Sequence, residues 1–261
     1  KRDTELMILI GFLMFILIIV AGRQGALTIL TVIFNVTVFS IGFWKAGDTS
    51  NVLEMCSRLV ILFSVITLVG LNGIHKKTWA ALFTTLIVLV MIMGIFDVVI
   101  HHVEDLDYST MEYLGSIENP DEIFHAEILI SGLGAIMDVA VAIAASLSEI
   151  VEKKSEVTFL ELFKSGREIG YDIMGTMINV LLFVFGCGLI PMCLIRMNND
   201  VSLITIIKLH IPCELCRFLV ESIGIVLAIP ISILVTSVMI KVARMFRRQK
   251  KARKVQGERK C

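Results

Sequence analysis

Three acidic residues share one face of a long apolar segment, and one of them lies at its centre. Asp138 is flanked by Glu127, eleven residues before it, and by Glu149, eleven residues after it. Eleven residues make just over three turns of an α-helix, so the three carboxylates project to nearly the same side. A rise of about 1.5 Å per residue separates the outer two by roughly 33 Å, close to the thickness of a bilayer's hydrocarbon core. The spacing predicts one acid at each membrane interface and one near the midplane.

An acid at the midplane indicates function. An ionisable group at the bilayer centre costs about 2.5 kcal/mol or more, and it usually faces a protein interior or a wet pathway. No basic residue is predicted at the depth of Asp138, so we expect Asp138 to carry a proton at rest and to lie against neighbouring helices. The alternative is a static hydrogen-bond network that only joins helices. For Glu127 and Glu149, a position at the interface is explanation enough.

Further polar side chains follow in the last two apolar runs. Asp172, Thr176 and Asn179 lie at helical spacing at the start of one run, and Arg217 and Glu221 lie on one face at the start of the other. Their depths predict a polar track across the membrane, formed by the last three spans. The candidate pathway or proton-binding residues are Asp138, Asn179, Thr176, Glu127, Glu149, Asp172, Arg217 and Glu221. Glu214 lies on the same face, so Arg217 can pair with either acid, and a structural ion pair between Arg217 and Glu221 is the alternative to a gate for those two.

Small residues and one proline predict how the spans pack. Glycines let helix backbones approach closely, and the candidate packing positions are Gly132, Gly134, Gly170, Gly175 and Gly224. Pro230 lies inside the last span, where it removes a backbone donor and favours a kink.

The composition is that of a membrane protein. Of 261 residues, 56% are hydrophobic and 18% are charged, and the mean hydropathy is +0.86. The predicted fold is all-α: a polytopic transmembrane helical bundle of about seven spans, with a short interfacial amphipathic helix at TFLELFKSGREIGYD before the sixth span. The formal net charge is zero. A basic tail after the last span is explained as a topology signal, so nucleic-acid binding is not predicted.

The predicted domain organisation is a membrane domain over 1–240 and a basic cytoplasmic tail over 241–261. The first two spans, and likewise the third and fourth, should form tight antiparallel hairpins because very short loops join them. The predicted spans are 6–22, 26–44, 59–74, 78–100, 126–151, 173–195 and 214–240.

Charge asymmetry predicts the orientation. With the tail in the cytoplasm, most Lys and Arg of the loops fall on the inner side, as expected for a multi-pass protein of the cell membrane. The loop 101–124 then lies outside with seven acids and no Lys or Arg. Its acids and histidines have no tight ligand spacing, so no metal site and no cofactor are predicted. Six spans, with the N-terminus inside, are the alternative topology.

Three phrases of the second half resemble the YibE/F family of bacterial integral membrane proteins: GLGAIMDVAVAIAASLSEI, GREIGYDIMGTMINVLL and ELCRFLVESIGIVLAIPIS. The short chain is similar to the YibF-like form. It departs from the family pattern at Tyr171, where an Arg is usual, and at Glu221, where a Gly is usual. The resemblance implies a membrane protein that acts beside a related YibE-like subunit, with a homo-oligomer as the alternative. It implies no substrate or reaction.

The sequence leaves three functions open. A transporter or permease subunit, coupled to protons or another cation through the intramembrane acid, is the function that the polar track favours. The second is an assembly subunit of a two-component complex that transports nothing itself. The third, an intramembrane enzyme, is disfavoured because G-x-G-D, H-E-x-x-H and G-x-S-x-G are absent, so the chain is not expected to be an enzyme.

Overall fold

The computed structural model describes residues 2–46, 52–102, 120–154, 157–209 and 211–258. Within these ranges the chain is helical, which confirms the all-α prediction. The helices are α1 (Arg2–Ala46), α2 (Val52–Asn72), α3 (Lys76–His102), α4 (Pro120–Lys153), α5 (Phe159–Asn198), α6 (Leu203–Leu209) and α7 (Ile211–Glu258). We call the end of the bundle where α4 and α7 begin the outer end, after the predicted orientation.

Six helical stretches of the described chain are long and apolar enough to cross a membrane. The first of them, Thr4–Gly42, has 39 residues. A straight helix of that length would measure about 58 Å, nearly twice the hydrocarbon core, so it cannot be one straight span. The backbone breaks at Gly22, where φ is 52° and ψ is −122°. Only glycine adopts such angles without strain, and the break falls where the first two predicted spans meet. The prediction of seven spans is therefore approximate.

The second half of α1 packs antiparallel on α2. The amide of Asn35 donates to the hydroxyl of Thr67 over 2.8 Å, and that of Gln24 donates to the carbonyl of Leu71 over 2.9 Å. The first half has no comparable packing, because none of the most apolar window of this stretch is buried.

Four helices, α2, α3, α4 and α7, enclose the apolar core, and α4 lies at its centre. Half of the most apolar window of α4 is buried, the largest share among the described spans. Gly224 of α7 allows close approach, since a Cβ there would overlap Ile92 of α3 and press on Ile136 of α4. Gly132 lies against Ile136 and Glu221. Gly132 and Gly224 therefore lie where neighbouring helices approach each other closely.

The predicted interfacial helix and sixth span form one continuous helix, α5, of 40 residues. The backbone N–H of Thr158 donates to Glu161, which fixes the start of the helix. The first part of α5 packs through Gly166 and Gly170 against Ile233 and Ile229 of α7. A separate interfacial helix is therefore not formed, because this glycine face continues the packed side of the span.

The last span also extends beyond its predicted limit. Helix α7 continues past residue 240 to Glu258, so the basic tail begins as a helical extension of the span. Pro230 lies inside this helix without interrupting it, and the kink predicted there stays a prediction. Pro191 occupies a similar position within α5.

Two glycines of α5, Gly170 and Gly175, should respond oppositely to an added methyl group. A Cβ at Gly170 would overlap the rigid, branched Ile229 side chain, whereas no atom lies within 4 Å of a Cβ at Gly175. We expect Gly170→Ala to destabilise the purified chain by about 1–3 kcal/mol through overpacking. The control, Gly175→Ala, should be neutral or slightly stabilising, since alanine is the better helix former. Thermal unfolding in detergent measures both, and equal midpoints would contradict the packing described for α5 and α7.

Candidate functional site

An ion-pair network joins α4 and α7 at the outer end. The guanidinium of Arg217 donates to Glu127 of α4, and it also contacts Glu214, one turn earlier on α7, over 2.5 Å. The hydroxyl of Ser131 donates to Glu221, which is only 6% exposed. The network thus holds three carboxylates and one guanidinium, and its acids exceed its bases. The outer third of the predicted track is therefore brought together.

The partners of Arg217 agree in part with the sequence-based expectation. Of the two acids of α7 that the sequence placed within reach of Arg217, Glu214 forms the ion pair and Glu221 does not. Glu127 of α4 is its second partner, which the sequence did not predict. Glu221 finds its partner across the helix interface because the small Gly132 lets α7 approach that part of α4.

Asp138 lies on the surface of the bundle. Its side chain is exposed, and no hydrogen bond or ion pair to it occurs among the described residues. The expectation that neighbouring helices cover Asp138 is therefore wrong for the single chain. The reason is the orientation of α4, which turns the opposite face to the core and buries Ile136, Val139 and Ile143 completely.

Asp138 belongs to a continuous line of small and acidic residues. Part-buried Glu127, exposed Ser131, Gly134 and Glu149 and half-buried Ala145 lie within about a third of a turn of it around the helix axis. We call these five residues and Asp138 the α4 stripe. It runs from the outer ion-pair network to the opposite end of α4, so the three acids share one face, as their spacing predicts.

The polar residues of α5 are exposed as well. Thr176 donates to the carbonyl of Ile173 over 2.8 Å, and Asn179 donates to that of Gly175 over the same distance. Both bonds lie within α5 and involve no second helix. Asp172 is exposed at the start of this polar run. The structure therefore places these residues on a helix surface and not in a buried contact with Asp138.

The predicted packing glycines divide into two groups. Gly132, Gly170 and Gly224 contact other helices, as described above. Gly134 and Gly175 face open space, where a Cβ added to either would meet no atom within 4 Å, and their predicted role inside the chain is wrong. Both belong to the exposed polar faces of α4 and α5, which explains why they lack neighbours.

Glu149 lies at the inner end of the α4 stripe. Its carboxylate pairs with Lys153, one turn later, over 2.6 Å, and both side chains are mostly exposed. Such an i,i+4 pair in water contributes little to stability. Glu149 therefore fits the interface position that its sequence suggested.

The bundle interior contains little that could carry an ion. Among the described residues, the buried polar side chains other than Glu221 are the hydroxyls of Ser and Thr, and most of the core is Ile, Leu, Val and Phe. No three His, Cys, Asp or Glu side chains of the described ranges are placed to share a metal ion. Most of the acidic loop, residues 103–119, lies outside the described residues.

The chain matches one known protein family over most of its length. A family model described as YibE/F-like protein matches residues 9–242. The chain is a member of the YibE/F family. The match covers almost the whole described bundle and confirms the resemblance of the three phrases on α4, α5 and α7. Comparison with curated proteins and with solved structures gave no match. What is established is thus a YibE/F-family protein made of apolar, membrane-type helices.

Removing the charge of Arg217 tests how much the excess of acids in this network affects stability. Replacing Arg217 by Gln leaves Glu127, Glu214 and Glu221 without a base at the outer end of α4 and α7. We expect Arg217→Gln to lower the free energy of unfolding by about 1–3 kcal/mol, the cost of leaving part-buried carboxylates unpaired. Unfolding in detergent gives the value.

Two further variants make that experiment specific. Adding Glu127→Gln to Arg217→Gln should recover part of the loss, because one unpaired carboxylate is removed. Arg58→Gln removes an arginine whose pair with Glu54 is mostly exposed, and it should change stability by less than about 1 kcal/mol. Equal effects of Arg217→Gln and Arg58→Gln would show that the network contributes nothing particular.

Proposed function

We propose that this YibE/F-family chain is a subunit of a membrane transport complex, with the pathway at a subunit interface and not inside its own bundle. The observation that carries the proposal is the exposed Asp138 at the middle of the α4 stripe. A carboxyl group facing lipid is costly, whereas one facing a second subunit or a water-filled gap is not. The proposal assigns the chain no catalytic step.

The composition of the α4 stripe supports a pathway along it. Glu127, Asp138 and Glu149 supply one acid to each third of the membrane, at equal spacing. Gly134 and Ala145 lie between them and leave room for water or for a neighbouring helix. Coupling to protons or another cation follows from this chemistry, since carboxylates are groups that bind and release both.

The occupant that best fits the stripe is another membrane subunit of the same family, either a related YibE-like chain or a second copy. The exposed polar run of Asp172, Thr176 and Asn179 on α5 would supply hydrogen-bonding groups to the same kind of interface. Outside the complex Thr176 and Asn179 each keep a hydrogen bond within their own helix, which lowers the cost of leaving them exposed before assembly. The proposed location is the cell membrane, with the tail in the cytoplasm.

A second candidate is an assembly subunit without a pathway. The small residues of the α4 stripe favour it, because close helix packing alone could cover Asp138 in a dry contact. The two functions differ in whether water reaches the middle of the stripe in the assembled complex.

Flux tests the transport function. In liposomes that contain the complete complex, with proton movement followed by a pH-sensitive dye, Asp138→Asn should reduce the flux at least about tenfold, as expected when the midplane proton carrier is removed. The matched control is Asp200→Asn, since Asp200 is exposed beyond α5 and has a positive φ of 60° that asparagine accepts well. Unchanged flux in Asp138→Asn would remove Asp138 from any transport mechanism.

Water accessibility separates the two candidates. Gly134→Cys and Ala145→Cys, in a chain whose six native cysteines are replaced, should react with a membrane-impermeant thiol reagent if the stripe lines a pathway. Val226→Cys, at an exposed apolar position of α7 away from the stripe, is the control and should stay unlabelled. If the stripe cysteines cross-link to another subunit but resist the reagent, the assembly function replaces the transport function.

A further inference from the structure

A large cavity opens between α2, α3 and α4 at the outer end. Its volume is about 750 Å³, and its walls are mostly apolar, with Val60 of α2, Leu89 and Met93 of α3, and Leu129 of α4 among them. This volume falls in the range of about 300–1,000 Å³ that small-molecule sites occupy. The cavity therefore has room for the hydrocarbon part of a medium-sized amphiphile.

The cavity is open to the side of the bundle. Val90 and Ile61 belong to its lining and are 73% and 50% exposed. Both lie within helices apolar enough to cross the membrane, so a molecule dissolved in the outer half of the bilayer could enter laterally. An apolar tail would gain about 0.8 kcal/mol per CH₂ only when it leaves water, so inside a membrane the tail alone gives little preference for the cavity.

The rim of the cavity is acidic, so a charged head group can give a molecule the preference for the cavity that its tail does not. Four carboxylates belong to it: Glu54, Asp97, Asp121 and Glu122. Glu54 pairs with Arg58 over 2.5 Å, and Asp97 lies 2.8 Å from Nε2 of His125. Among the described residues, Asp121 and Glu122 have no ion pair. They lie in the first turn of α4, whose dipole offsets part of their charge. The rim as a whole still favours a cation.

We propose that this cavity binds a cationic amphiphile, a molecule with an ammonium or amidinium head on a hydrocarbon tail. The head lies at Asp121 and Glu122, and the tail lies along Leu89, Met93 and Leu129. Charge attraction at the edge of a low-dielectric region is stronger than in water, so the head decides the affinity and the tail decides the depth.

This binding function is separate from the proposed pathway. The lining of the cavity contains none of Glu127, Ser131 and Asp138, which lie along the acidic face of α4. Loss of transport in Asp138→Asn therefore predicts nothing about the cavity. The two proposals can fail independently.

Head-group selectivity is the first test. The full chain is placed in nanodiscs of zwitterionic lipid, and a fluorescent alkyl probe with a trimethylammonium head is titrated. Probes with the same tail and a sulfonate or a neutral head are the comparison, and empty nanodiscs give the partitioning background. Saturable binding of the cationic probe, at least about tenfold tighter than that of the other two, is expected from one charge-assisted contact. Equal binding of all three heads would overturn the proposal.

Two pairs of variants locate the bound probe. Asp121→Asn with Glu122→Gln should weaken the cationic probe by about tenfold or more, while the distant Asp200→Asn should not. Val90→Trp places a large side chain at the lateral opening and should abolish saturable binding. Ile87→Trp is its control, because Ile87 is an exposed residue of α3 outside the lining. Loss of binding in both tryptophan variants, or in neither, would refute the assignment to this cavity.

Discussion

A carboxyl group inside a bilayer needs water or a polar partner, and Asp138 of α4 is the residue of this bundle to which that requirement applies most directly. Asp138 has no polar partner among the described residues, because α4 directs its apolar face to the core and its acidic stripe outward. The described chain is thus well packed on one side of α4 and exposed on the other. Among the described residues, no side chain meets the requirement of this carboxyl group.

The acids at the outer end of α4 and the acid at its middle lie in different environments. At the outer end, Arg217, Glu127 and Glu214 neutralise part of one another's charge, and Ser131 and Glu221 join them across the interface with α7. At the middle of the stripe, Asp138 has no base beside it among the described residues. An ion-pair network thus joins α4 to α7 at the outer end, and an acid without a base lies at the middle of the stripe.

Much of the fold could be predicted from local sequence, because each helix carries its own periodicity and hydropathy. The 11-residue spacing of the acids on α4 predicted their common face, and the glycines at 132, 170 and 224 predicted close packing. The same reasoning failed for Gly134 and Gly175. A small residue indicates that something can approach, but it does not say whether the neighbour belongs to the same chain.

By itself the sequence determined that the chain is a bundle of membrane-type helices, that its acids lie in register, and that it resembles the YibE/F family. Only the tertiary structure decided which side of α4 is buried, which acids Arg217 joins, and that a cavity with an acidic rim lies between α2, α3 and α4. The physical reason is that hydropathy and helical period are properties of one segment. The rotation of a helix about its axis depends on every helix packed against it.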